Sequence, residues 1–292
     1  MPGAFPVGRG SGGKDPDLVW RCGRFSLPVG RRCHVIGIIN VNSVSYFRHN
    51  RDDAVRRGLE IVKDGADIIE VGGESARPGS DPVSAEEEQR SVLPVIEALA
   101  PLVDIPISVD TTKASVATAA LDVGASVVND ISALLGDPSM LPLLAARDCG
   151  VVLMHMRGTP KAMQQLTAYV DVVSEVRSML LERARTAEEA GIRRERIAID
   201  PGLGFAKTHR QCLRLIRETP SLVATRYPVL IAPSRKAFIG RTLGLPPKER
   251  LEGTAAVVAW SVVAGAGVVR VHDVRAMVRV VRMTEAILSA GD

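Results

Sequence analysis

The sequence predicts a single-domain α/β protein, a (β/α)8 TIM barrel. Eight short apolar runs recur along the 292 residues, nearly every one stops at a polar or Gly-rich cluster, and each gap holds a helix-compatible stretch. A βα unit repeated eight times closes into a barrel of parallel strands. Chemistry in such barrels sits at the C-terminal ends of the strands, so the same observations predict where function lies. Composition agrees. Hydrophobic residues make up 46% of the chain and aromatics only 3%, which leaves an aliphatic core suited to strands buried on both faces.

Residues 1–30 are rich in Gly, Pro and Arg, with Gly10-Ser11-Gly12-Gly13 in the middle. They read as a flexible tail, packed loosely over the barrel's bottom or disordered. The barrel domain then occupies 31–292, with its elements running from about Arg31 to Ser289. Its first strand, Val35–Ile39, stops at Asn40, and Asp52-Asp53 opens the first helix. The second strand, Ile68–Val71, runs into Gly72-Gly73-Glu74. Ser84, three residues ahead of Glu87, gives the second helix a capping box. Ile105–Val109 ends at Asp110, and Ser126–Val128 ends at Asn129-Asp130; Thr112 and Asp137 are the caps expected for helices three and four. Val151–Met154 precedes His155, and the amphipathic stretch Val170–Ala190 is closed by Gly191 as C-cap. The last three strands are Ile197–Ile199 before Asp200-Pro201-Gly202, Val229–Ile231 before Ser234-Arg235-Lys236, and Val268-Val269 before Arg270-Val271-His272.

Helix seven stands apart. Thr254 to Ala264 is apolar around most of its circumference, whereas a barrel helix normally shows water one polar face. Such a helix needs a second cover. A homodimer interface is the preferred expectation, ahead of burial beneath the chain's own tail.

Several function classes are excluded early. The net charge of +4 is small, and Arg-rich stretches such as Arg193-Arg194-Glu195-Arg196 alternate with acids. That pattern is a solvated surface, so no nucleic-acid partner is expected. Cys22, Cys33, Cys149 and Cys212 form no C-x-x-C pair, which argues against a disulfide scaffold or structural zinc and for a reducing, cytoplasmic setting. No N-terminal stretch joins a basic start to an apolar core, so a signal peptide is not expected. The longest apolar stretch, Thr254 to Val269, is interrupted by Gly265 and Gly267 and falls short of a ~20-residue span. No membrane insertion is expected.

The strand ends carry the chemistry. Asp200 sits at the predicted mouth, followed by glycines that let the backbone turn tightly near a ligand; a turn cap is the competing reading of this carboxylate. Loops after strands seven and eight form the usual phosphate-binding corner of the fold. Cationic Lys236 and Arg270 beside His272 suit an anionic group there, although either cation could instead pair with Asp273. Asp110, Asn129 and Asp200 add acceptors without an obvious nucleophile, an arrangement suited to a heterocycle that presents several N–H donors. Asn129-Asp130 reads equally as a helix cap, and His155 equally as a packing histidine.

Taken together these motifs resemble those of the dihydropteroate synthases of the folate pathway, across residues 34–285. The specific pieces are Gly72-Gly73-Glu74-Ser75-Ala76-Arg77-Pro78-Gly79, Ser108-Val109-Asp110-Thr111 and Leu153-Met154-His155-Met156-Arg157-Gly158-Thr159-Pro160. Asp200-Pro201-Gly202, Ser234-Arg235-Lys236 and Arg270-Val271-His272-Asp273 complete the set. The family joins a dihydropterin methyl pyrophosphate to p-aminobenzoate and releases pyrophosphate. The resemblance implies that Asp110, Asn129, Asp200 and Lys236 meet the pterin ring while Met154 and Phe205 line its pocket. It implies Asn40 as the Mg²⁺-linked residue, with Arg77, Arg270 and His272 around the pyrophosphate.

The second-substrate side departs from the family pattern. Where the family usually reads Asn-Val-Thr-Pro-Asp-Ser-Phe after strand one, this chain has Asn40-Val41-Asn42-Ser43-Val44-Ser45-Tyr46, and His49-Asn50 replaces the Gly-Gly that follows. Ala76 stands for Thr in Ser-Thr-Arg-Pro. Ala237 stands for the last Ser of Ser-Arg-Lys-Ser, with Pro233 ahead of the motif. Val44, Ala76 and Ala237 each replace an oxygen-bearing side chain with an apolar one. Losing one hydrogen bond to a charged group costs roughly 1.5–3 kcal/mol. The expectation is therefore a homologue that keeps its pterin pyrophosphate and Mg²⁺ site but is inactive or very weak as a synthase. The catalytic acid of the family's first loop is absent. The alternative is an active synthase that condenses 6-hydroxymethyl-7,8-dihydropterin pyrophosphate with p-aminobenzoate through an unusual first loop. Methyl-transferring pterin enzymes on the same barrel would leave the cationic corner unexplained.

Overall fold

The computed structural model describes residues 15–41 and 50–291. Eight parallel strands alternate with helices as the repeat of apolar runs requires. In chain order they begin with a short hairpin, β1 (Trp20–Cys22) and β2 (Phe25–Leu27), then β3 (His34–Asn40), α1 (Arg51–Lys63), β4 (Ile68–Gly72) and α2 (Ala85–Leu99). There follow β5 (Ile107–Asp110), α3 (Ala114–Asp122), β6 (Val127–Asp130), α4 (Met140–Ala146), β7 (Gly150–Met154) and α5 (Val172–Glu189). The chain continues through β8 (Ile197–Asp200), α6 (His209–Arg217), α7 (Thr219–Val223), β9 (Leu230–Ile231) and α8 (Ala237–Leu243). It ends with α9 (Leu251–Val263), β10 (Val268–Val271) and α10 (Val274–Ser289). The sheet runs β8-β7-β6-β5-β4-β3-β10-β9. It closes through a parallel bridge between Ile199 and Val229 and the bond from Ile199 N to Pro228 O at 2.8 Å.

Side chains alternate across each strand, so every second residue points into the barrel. At the lower end Ile36, Ile68, Val127, Val152, Ala198, Leu230 and Val268 form one apolar cluster. Higher up, the same register places Glu70, Ser108 and Asn129 in the interior, all buried. The opposite strand faces pack against the helices in the larger aliphatic cluster.

Residues 20–27 depart from the loose tail expected over 1–30. Trp20, Cys22, Leu27 and Val29 join the lower barrel cluster and plug its bottom. Trp20 is fully buried and its Nε1 donates to Arg196 O at 3.0 Å. Two isolated residues of a polar stretch, Trp20 and Leu27, carry this packing. The glycine-rich part of the expected tail lies outside the described residues.

Helix caps also differ in detail. Asp52 and Asp53 lie in the first turn of α1, as expected, and Asn50 caps it, accepting from Asp53 N at 3.0 Å. Ser84 caps α2 through Glu87 N at 3.1 Å, as its spacing predicts. Thr112 does not cap α3. Asp137 instead reaches back to accept from Ala114 N at 2.8 Å, and α4 starts only at Met140. Gly191, at φ +102°, follows α5 in the left-handed conformation that a C-terminal glycine supplies.

Candidate active site

The polar residues picked out by the sequence converge at the C-terminal mouth of the barrel. β3 ends in Asn40, β5 in Asp110 and β8 in Asp200, while Asn129 lies one residue from the end of β6. Gly72 ends β4 between two of them. A Cβ there would lie 3.7 Å from Asn40 Oδ1 and 3.6 Å from Asp110 Cβ, so the glycine leaves the space between those side chains open.

An ionic ladder fills the level below. Arg270, from β10, donates through Nη2 to Asp110 Oδ2 at 2.9 Å and through Nε to Glu70. Glu70 is fully buried and also accepts from Asn129 Nδ2 at 3.0 Å. That bond orients the Asn129 amide and leaves its Oδ1 buried without a partner; Ser108 Oγ is likewise unpartnered. Buried acceptors are nearly always satisfied, so an orphaned one at a barrel mouth is an acceptor held ready for a donor. Burial and the Glu70 charge raise the Asp110 carboxyl to about 8, against the pull of Arg270. Burial likewise raises Asp200, opposed by Lys236 and by the Gly202 N–H that its Oδ1 accepts at 2.7 Å.

Lys236 completes the mouth. Its Nζ donates to Leu203 O at 2.5 Å and lies 4.9 Å from the centre of the Phe205 ring. Burial lowers this ammonium to about 8, with Asp200 opposing the shift. Met154, 4% exposed, pairs across the sheet with Asp200, which places it beside the same opening.

The anionic corner is looser. His272 Nδ1 contacts Ser234 Oγ at 2.9 Å, and Nε2 lies 3.5 Å from Asn40 Nδ2. Burial of the ring and nearby Arg270 lower His272 to about 4, so it is neutral at physiological pH. Arg77 is exposed on the loop after β4. That loop is held by Ser75 Oγ to Ser80 Oγ at 2.9 Å and by Gly79 N to Pro160 O at 3.0 Å. Lys113 anchors the loop's start through Glu74 at 2.5 Å and Glu88 at 2.6 Å. Arg270 does not stand at the rim with Arg77; its charge is engaged inward by the two carboxylates.

Two of the altered positions, Ala76 and Ala237, occupy the outer edge. Ala76 is half-buried directly before Arg77, and Ala237 is exposed directly after Lys236 as the first residue of α8. Val44 lies outside the described residues, as does the segment Asn42–His49 around it.

Residues 36–272 match the pterin binding enzyme family. A dihydropteroate synthase of Synechocystis sp. is 42% identical over 263 residues, which cover 88% of this chain and 91% of the relative. The chain belongs to the dihydropteroate synthase family. Its barrel superimposes on the dihydropteroate synthase of Yersinia pestis, solved with a sulfonamide drug complex, with a TM-score of 0.90 at 35% identity. That match covers 94% of this chain and 100% of the other. The Burkholderia cenocepacia dihydropteroate synthase, complexed with 7,8-dihydropteroate, gives a TM-score of 0.85 at 38% identity, over 94% of this chain and 97% of that one.

Three site-building residues escaped the reading of motifs. Glu70 is the most central, and the signal for it was a charge inside the apolar run Ile68–Val71, in register with the interior. Arg235, quoted only within the motif Ser234-Arg235-Lys236, is a pin. It pairs with both Asp273 oxygens at 2.7 and 2.8 Å and donates to Lys248 O at 2.9 Å. This pair removes Asp273 as a partner for Lys236 or Arg270 and holds the Asp273 carboxyl below its usual range. Lys207, the third, lies buried behind Phe205. His155 is buried beside it, packed rather than offered to the mouth.

Proposed function

We propose that this member of the dihydropteroate synthase family binds a dihydropterin pyrophosphate at the barrel mouth but condenses it with p-aminobenzoate weakly or not at all. The observation that carries the reading is an asymmetry. The acceptor-lined interior of Asp110, Asn129, Asp200 and Lys236, braced by Glu70 and Arg270, is complete, while Val44, Ala76 and Ala237 lack the oxygens usual at the rim.

In this reading the orphaned Asn129 Oδ1 and the two carboxylates take the N–H edge of the pterin, and Lys236 meets its carbonyl. Phe205 and Met154 bound the ring's faces. Arg77 and neutral His272 face the pyrophosphate, whose negative charge grows as its C–O bond breaks, while Arg270 lies below them, engaged by Glu70 and Asp110. The ionised forms of Asp110 and Asp200 favour the cationic methylene left behind, whose charge opposes the burial that raises both carboxyls.

Mg²⁺ is the cofactor this reading carries. Mg²⁺ is usually held through one or two protein oxygens together with substrate phosphates rather than by a protein cage. Among the described residues no group of three His, Cys, Asp or Glu side chains could hold a metal alone. Asn40 supplies an amide oxygen of the right hardness beside the open space at Gly72. Asn40 would hold the ion, which would neutralise charge on the pyrophosphate.

Titration calorimetry with 6-hydroxymethyl-7,8-dihydropterin pyrophosphate and Mg²⁺ is expected to show saturable binding; no binding overturns the reading. A pyrophosphate-release assay with p-aminobenzoate is then expected to run at least a hundredfold below an ordinary synthase, about 2.7 kcal/mol in barrier. Turnover at the ordinary rate would instead establish an active enzyme.

The homodimer through 254–264 belongs to the same proposal. Trp260 and Val263 on α9, with Met283 and Ile287 on α10, each stay about half exposed or more, an apolar face that a second copy of the chain would cover. Trp260→Asp is expected to convert a dimer to a monomer in sedimentation, and a wild-type monomer at micromolar concentration would remove the idea. No helix among the described residues is long and apolar enough to cross a membrane. We place the protein in the cytoplasm on its cysteine usage.

A further inference from the structure

Behind the pocket wall lies a cation that the reading above leaves without a task. Lys207 is 3% exposed, and its Nζ has three neighbours, all on the loops that follow β7 and β8. These are His155 Nδ1 at 2.9 Å, Phe205 O at 2.9 Å and His155 O at 3.3 Å. Among the described residues no carboxylate lies within ion-pair distance of this ammonium. A buried charge held by carbonyl dipoles and a ring nitrogen alone is costly, and burial lowers the group to about 7. His155 presents a neutral ring to it, because burial and Lys207 itself lower the imidazole to about 3.

The backbone that Lys207 holds is unusual. Gly202, Gly204 and Ala206 take φ values of +65°, +86° and +51°, so every second residue between Asp200 and Lys207 lies in the left-handed region. Ala206 has no glycine's freedom there. Non-glycine residues persist in that region only where surrounding contacts over-determine them. The bond from Lys207 Nζ to Phe205 O spans Ala206 directly. The second loop is locked in at the same place. His155 N donates to Asp200 O at 2.9 Å, and a Cβ on Gly202 would lie 2.0 Å from His155 O.

We propose that Lys207 is a positioning residue for the pterin side of the site, an ammonium clamp that joins the β7 and β8 loops and fixes the Phe205 ring against Lys236. It touches no substrate. It acts through Phe205, whose backbone carbonyl it binds and whose ring lies 4.9 Å from Lys236 Nζ.

The proposal rests on the pterin reading for its ligand, and the test separates the two. Hydrogen exchange needs no ligand. In Lys207→Met, amides of segment 201–207 are expected to exchange at least tenfold faster than in wild type, with α1 to α3 unchanged. Unchanged exchange in that segment overturns the clamp, whether or not any pterin binds. Calorimetry with the pterin pyrophosphate is then expected to show at least tenfold weaker binding for Lys207→Met and at least partial rescue in Lys207→Arg. In a double-mutant cycle, adding Lys207→Met to Phe205→Ala is expected to cost less than threefold more, because the clamp works through that ring. Fully additive losses, or wild-type affinity in Lys207→Met, overturn it. Should Lys207→Met fail to fold, Lys207→Gln keeps two donors without the charge and is read by the same exchange and binding criteria. Failure of wild type to bind would remove the pterin reading alone, since exchange still decides the clamp.

Discussion

Replacing Arg270 by Met is expected to cost about 3–5 kcal/mol of folding stability well above pH 8, where both carboxylates are charged, and to abolish pterin binding. The methionine nearly conserves the side chain's volume but leaves two carboxylates in the barrel interior, Glu70 fully buried and Asp110 nearly so, with no shared cation. Removing one partner of a buried ionic network costs this much because the remaining charge stays desolvated. The pH dependence has a definite sign. Asp110 is already raised to about 8, above the ~3.9 of an unfolded aspartate. Its protonated form therefore stabilises the fold fully below about pH 4, and that contribution is lost as pH rises through the folded value near 8. Without Arg270 the folded value moves higher still, so the Asp110 part of the variant's deficit is expected to be small up to about pH 8 and to grow above it. Urea denaturation of both proteins at about pH 6 and about pH 10 measures it, and an equal deficit at the two would refute the ladder. Adding Glu70→Gln to the variant should recover part of the loss, since one unpaired charge disappears. Arg270→Lys should fall between, because the compact ammonium keeps the charge but lacks the planar fork with which the guanidinium meets Glu70 and Asp110.

This ladder also shows what the linear sequence conceals. The barrel was legible because eight apolar runs and their polar stops obey simple periodicities, and the observed strands differ from the predicted ones by one or two residues at their ends. Asp110, Asn129, Asp200 and Lys236 were legible for the same reason, each lying at or just beyond a strand's end. Glu70 was not, because it occupies the middle of an apolar run and acquires meaning only when register places it beneath Asp110 and beside Asn129. Arg235 and Arg270 look equivalent as cations at strand ends, yet one pins Asp273 and the other enters the barrel. Nothing in their local sequence distinguishes those fates; the twist and register of β10 do. The hairpin at Trp20 was hidden by composition, since Gly and Pro around it read as tail while one indole and a few aliphatic side chains supply the packing.

Restoring the rim is the second large expectation. Val44→Asp combined with Ala76→Thr and Ala237→Ser is expected to raise pyrophosphate release with p-aminobenzoate by two orders of magnitude or more. Each change returns one hydrogen-bonding oxygen, and one such bond to a charged group is worth about 1.5–3 kcal/mol, or roughly ten- to a hundredfold. The gain is not expected to divide equally. Ala237 follows Lys236 immediately and is exposed, so Ala237→Ser adds a hydroxyl with little repacking and should act on KM for the arylamine. Val44→Asp returns a carboxylate that the family usually carries at this position and should act on kcat. Ala76 is half-buried on a loop held at its start by Lys113 and Glu74, so its threonine must fit a fixed backbone and should help least alone. Neither Ala76 nor Ala237 sits in the interior that contacts the pterin in this reading, so calorimetric affinity for the pterin pyrophosphate should change less than threefold. If turnover stays flat while that affinity holds, the rim substitutions are not the cause of weak synthesis. The deficit would then lie in the interior, where the inward engagement of Arg270 by Glu70 and Asp110 is the feature that most separates this site from an open anion-binding corner.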